Sequence, residues 1–70
     1  MIDLEINTDI YSTASVETVK EVYKDYAKIE TIKKGNVLIL RFYDCRYDKK
    51  QTVKEFENYL IGVENSYGNS

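Results

Sequence analysis

The run Val37-Leu38-Ile39-Leu40-Arg41-Phe42-Tyr43 is the most apolar stretch of the chain, and until Arg41 it is apolar at every position. A strand with one face in water alternates apolar with polar side chains. A run apolar on both alternating faces therefore reads as the central strand of a small sheet. Helices then cover one face, and the other is partly covered or used by a partner. Arg41 interrupts that second face, in line with Val37, Ile39 and Tyr43. Its stem lies on the sheet while its head reaches water, or the cation beside Tyr43 serves as an interface contact.

The flanking sequence supplies the rest of the layout. Ile2, Leu4 and Ile6 alternate with Asp3, Glu5 and Asn7, the period of a half-buried strand, which predicts a strand over 2–9. Ser12 is a good N-cap. After it Val16, Val19, Tyr23 and Ala27, with Val22 and Tyr26 beside them, form an apolar stripe that predicts a helix over 13–27. Residues 29–33 read as a short strand, and Lys34-Gly35-Asn36 as a turn in which Gly35 takes a positive φ. Asp44 to Tyr47 is a polar connection. Asp48 with Gln51 has the form of a capping box ahead of a second helix over about 49–61, carrying Val53, Phe56, Leu60 and Val63. Gly62 stands where a helix stop is expected, and residues 64–70 read as a polar, frayed tail.

The expected order is β-α-β-β-α in one α+β domain over residues 1–63. The first two strands are joined through a helix and should run parallel with a right-handed crossover, and the tight turn makes the third antiparallel to the second. With the third strand slotted between the others, the sheet is a three-stranded split βαβ, a ferredoxin-like fold lacking its last strand, with two helices on one face. A chain of 70 residues buries only about 60% of its unfolded surface. One cysteine and no histidine leave neither an internal disulfide nor a zinc site as a staple, so association with a partner or a second copy is the remaining device.

The same counts bound the chemistry. Proton-transfer enzymes use histidine or paired carboxylates in a cleft, and here the acidic residues are scattered among basic neighbours. The glycines form no phosphate-cradling loop. Cys45 sits between Asp44 and Arg46, but no base or oxyanion site accompanies it, so it reads as a structural cysteine rather than a nucleophile. No enzyme activity, metal or cofactor is expected. A net charge of −2 without a basic block argues against nucleic acid. No run approaches a membrane span, and the N-terminus does not resemble a signal peptide. With a lone thiol these features point to the cytoplasm. Seven tyrosines against two phenylalanines reflect biased codon usage or a contact surface, since tyrosine combines apolar area with a polar tip.

Several of these features together resemble a known family: the β-α-β-β-α order, the Tyr11-Ser12 helix entry, Tyr23 and Tyr26, the Gly35 hairpin, and Glu55-Phe56-Glu57-Asn58-Tyr59-Leu60. Over roughly residues 5–61 they resemble the HxsD-like proteins, accessory components of His-Xaa-Ser peptide-modification systems that act beside radical SAM maturases. Phe56 and Asn58 match the Phe and Asn of that family's terminal helix. Ile61-Gly62 replaces an expected acidic residue, and no arginine closes the helix. The resemblance implies a non-catalytic partner that recognises or holds a precursor peptide for a maturase. A small structural or regulatory oligomer of phage or toxin–antitoxin type, assembled through sheet edges, is the alternative. In either case the free edge at 2–9 is the expected docking strand, with Asp3, Glu5, Asn7, Tyr11, Arg41 and Tyr43 as candidate contacts for a peptide, a maturase or a second copy.

Overall fold

The computed structural model describes residues 1–68, with side chains through residue 66. Five elements follow one another: β1 (Ile2–Asn7), α1 (Thr13–Tyr23), β2 (Lys28–Lys34), β3 (Val37–Tyr43) and α2 (Lys49–Gly68). The fold is α+β, and the sheet order is β1-β3-β2. β3 is antiparallel to both neighbours, so β1 and β2 run in the same direction, as the split arrangement requires. Leu38, Leu40 and Phe42 are buried on one face of β3, whereas Val37, Ile39, Arg41 and Tyr43 are half-buried on the other. The central strand is thus apolar on both faces, but only one face is the core.

That core joins Ile6, Leu38, Leu40 and Phe42 of the sheet to Val16 and Val19 of α1 and Phe56 and Leu60 of α2. Tyr23 packs on it from the side, edge-on to Phe56 at 5.4 Å between ring centroids. Phe56 is in turn edge-on to Phe42 at 5.2 Å, the geometry that ring quadrupoles favour. Gly35 has φ of +58°, the left-handed conformation that costs glycine least, and it makes the β2–β3 turn.

Four features differ from the sequence reading. β1 stops at Asn7, not 9, because the Asn7 side chain accepts the N–H of Asp9 at 2.8 Å and bends the chain into an Asx turn. α1 stops at Tyr23, not 27. β2 begins at Lys28, so a helix through 27 would leave no residue to reverse the chain; instead the Tyr23 carbonyl accepts the N–H groups of Tyr26 and Ala27, and Ala27 is buried in the turn. The capping box at α2 is half formed. The Asp48 carboxylate accepts the Gln51 N–H at 3.1 Å, but the Gln51 side chain donates forward to Glu55 at 3.2 Å.

The fourth difference is at Gly62, which does not stop α2: the helix continues through Gly68. Val63 packs against the core, and Glu64 bonds to Ser12 and Ser15 of the α1 entry, which gives the extra turn a reason to form. The expected tail is therefore helical over 64–68, and residues 69–70 lie outside the described residues.

Candidate functional site

Two surfaces carry the exposed features that folding alone does not use. The first is the uncovered face of the sheet with the edge of β1. Register places side chains across it in rows: Asp3, Arg41 and Glu30; Glu5, Ile39 and Ile32; Asn7, Val37 and Lys34. Five of the expected contact residues, Asp3, Glu5, Asn7, Arg41 and Tyr43, are brought together here. Tyr11 is not among them; it follows the Asn7 turn and packs against the core.

Arg41 does not simply point into water. Its Nε donates to Asp3 Oδ1 at 3.0 Å and Nη2 to Oδ2 at 3.3 Å, a bidentate pair between directly opposed residues of β1 and β3. Hydrogen bonding to Asp3, and then to the Tyr43 hydroxyl, holds the guanidinium protonated well beyond its ordinary range. The same bond holds the Asp3 carboxyl below the usual carboxylate range. Asp3 is thereby spent within the chain, and Glu5 has no ion-pair partner among the described residues.

β1 and β2 are the two edges of the sheet among the described residues. They are not equally open. β2 carries Lys28, Lys33 and Lys34, and lysines on an edge are a common device against pairing. Lys20 of α1 also reaches over to the Thr31 hydroxyl at 2.6 Å. β1 presents Asp3, Glu5 and Asn7 on the open face, with Ile2 and Leu4 half-buried on the core side. Beyond Asn7 the backbone turns away from that edge: the Thr8 N–H donates to the Asn36 carbonyl at 2.8 Å.

The second surface was not legible as a site in the sequence. It is a cleft of about 320 Å³ between the end of α1, the β3–α2 connection and the first half of α2, lined by Val22, Tyr23, Tyr26, Tyr47, Thr52, Glu55 and Tyr59. Its walls are set by local structure. Asp44 takes φ of +48°, in the left-handed region that Asp tolerates better than most residues, and turns the chain out of β3. The Arg46 N–H then donates to the Tyr26 carbonyl at 2.7 Å. That bond ties the two connections together and brings the Tyr26 and Tyr47 rings to 6.1 Å. Tyr23 stands edge-on to Tyr26 at 5.8 Å and to Tyr59 at 6.1 Å. Burial, with the Glu55 carboxylate nearby, pushes the Tyr23 hydroxyl above its ordinary range. The tyrosine count was the available signal, but Tyr23 and Tyr26 fit a buried helical stripe and Tyr47 sat in a polar connection.

Cys45 lies partly buried against the core, with Arg41 drawn away to Asp3. Among the described residues no helix is long and apolar enough to cross a membrane. No family model, curated protein or solved structure matches the chain.

Proposed function

We propose that the chain is a non-catalytic binding module that receives an extended peptide strand along the outer edge of β1. The observation that carries this reading is the contrast between the two edges: β2 carries Lys28, Lys33 and Lys34, and β1 carries no lysine. A strand added beside β1 would satisfy its outward N–H and C=O groups and extend the sheet, as in β-augmentation. Its inward side chains would sit beside half-buried Ile2 and Leu4, and its outward ones beside Asp3, Glu5 and Asn7. With Asp3 held by Arg41, Glu5 is the open charge on that face, so the favoured guest is apolar on one face and basic opposite Glu5, because opposite charges on adjacent strands attract and like charges repel.

The same rule disfavours the alternative, an oligomer that pairs β1 with β1. The full-length antiparallel pairing centred on Leu4, which keeps the apolar faces together, sets Asp3 of each copy against Glu5 of the other. The guest would be a precursor peptide held for a modifying enzyme, the role implied by the HxsD-like resemblance, with a radical SAM maturase as the larger partner.

The test is amide hydrogen exchange over residues 2–7, with a peptide of about six residues alternating valine and lysine, and with its valine–glutamate counterpart as control. Slowed exchange in β1 with the lysine peptide alone supports the module. Unchanged exchange at saturating peptide overturns it. The narrower maturase role is read from gene neighbourhood, and it fails if no radical SAM enzyme is encoded nearby.

A further inference from the structure

We infer that the tyrosine cleft is a receptor for a single cationic side chain, an arginine carried by a partner peptide. This site is separate from the β1 edge, and neither depends on the other. Seven large apolar or aromatic side chains are exposed among the described residues: Met1, Ile10, Val22, Tyr26, Tyr47, Tyr59 and Ile61. Four of the seven, Val22, Tyr26, Tyr47 and Tyr59, line this one cleft, which scattered surface exposure does not explain. Tyr26 is 42%, Tyr59 45% and Tyr47 64% exposed, so their rings are available to a ligand.

The charge of the lining selects the occupant. Glu55 is its one charged residue. No lysine or arginine among the described residues pairs with Glu55, whose recorded bond is to the Gln51 amide through Oε1. A concave surface of tyrosine rings around a carboxylate attracts cations twice over, through ring quadrupoles and through the formal charge. Gln51 keeps the carboxylate in place by hydrogen bonding along α2. Tyr23 at the rear is fixed by its contacts to Phe56, Tyr26 and Tyr59. Tyr23 thus anchors the rings of Tyr26 and Tyr59 beside Glu55.

Arginine fits better than lysine for two reasons. Its planar guanidinium stacks on aromatic faces and presents paired donors to a carboxylate. The Arg46 guanidinium carbon already lies 6.0 Å from the centre of the Tyr47 ring, so Tyr26, Tyr59 and Glu55 are the groups most open to the guest.

The test is a titration of the full chain with N-acetyl-arginine amide, followed by backbone amide and tyrosine-ring NMR signals. N-acetyl-citrulline amide, nearly the same shape without the charge, is the control. Saturable shifts are expected at Tyr23, Tyr26, Tyr47, Glu55 and Tyr59. Citrulline should bind about fivefold or more weakly, and Glu55→Gln should lose a similar factor for arginine alone. Tyr59→Leu, with the fold verified by the unshifted core signals, should weaken binding as well. Equal binding of citrulline, shifts confined to the Asp3 and Glu5 face, or no saturable shift would each overturn the proposal.

Discussion

The carboxylate of Glu64, near the end of α2, accepts a hydrogen bond from the buried hydroxyl of Ser15, in the first turn of α1. The same oxygen takes the Ser12 hydroxyl at 3.1 Å and the Ser12 N–H at 3.3 Å, while Ser12 caps α1 by accepting the Ser15 N–H. An anion at a helix N-terminus is favoured by the exposed N–H groups and the helix dipole. Here it comes from the far end of the other helix and joins the two.

This bond makes a prediction about acid stability. The Ser15 hydroxyl, against a smaller opposing effect of burial and with help from Ser12, holds the Glu64 carboxyl below its ordinary range. A carboxyl depressed in the folded state adds stability that is complete above its unfolded pKa, about 4.3, and lost as pH falls through the folded value. The melting temperature should therefore drop on acidification below that point, and Glu64→Gln should flatten the drop while destabilising the neutral protein. Asp3 acts in the same sense through Arg41, so Asp3→Asn is the companion variant. A Glu64→Gln protein with the parent's acid slope would remove this role.

Leu40 is fully buried at the centre of β3. Leu40→Ala should cost about 2–5 kcal/mol, a large share of what a domain this small has. Thermal unfolding by circular dichroism should show a protein largely unfolded near room temperature. A midpoint within a few degrees of the parent would show that Leu40 does not anchor the core.

Gly62 lies inside α2, and a methyl group added there would meet no atom within 4 Å. Glycine in a helix interior is disfavoured relative to alanine by roughly 0.5–1 kcal/mol. Gly62→Ala should raise stability by about that amount in urea unfolding, with an unchanged m-value. A loss of stability would argue that the chain bends at Gly62.

Cys45 is partly buried and packs on the core. Cys45→Ser should leave peptide binding unchanged, as read by titration of the folded variant. Loss of binding with the fold intact would assign the thiol a role that its surroundings do not indicate.

Much of the fold is legible in the sequence because each signal is local. Two-faced apolarity places Val37–Tyr43 at the centre, Ser12 opens α1, and Gly35 makes the hairpin. The misread boundaries share a different cause. Ala27 satisfies the helical stripe and is buried, but as part of a turn, so burial periodicity alone could not tell the two apart. Gly62 looks like a stop until Val63 and Glu64 find partners on the core and at Ser15. The cleft depends on Tyr26, Tyr47 and Tyr59 converging from three segments, which no spacing encodes. On the open face Asp3 and Arg41 each looked available, and their register made them partners.

The turn that follows β1 also sets a scale. Thr8 binds the Asn36 carbonyl through both its N–H and its hydroxyl, and the Asn36 side-chain amide binds Asp9 at 3.0 Å. These bonds tie the end of the six-residue strand to the β2–β3 turn, where the chain bends at Asn7, so the free outer edge measures about 20 Å at the usual strand rise. A guest strand longer than about six residues would run past its last partner at the Asn7 turn. Inserting a single residue within the paired stretch would exchange its basic and apolar faces from that point on.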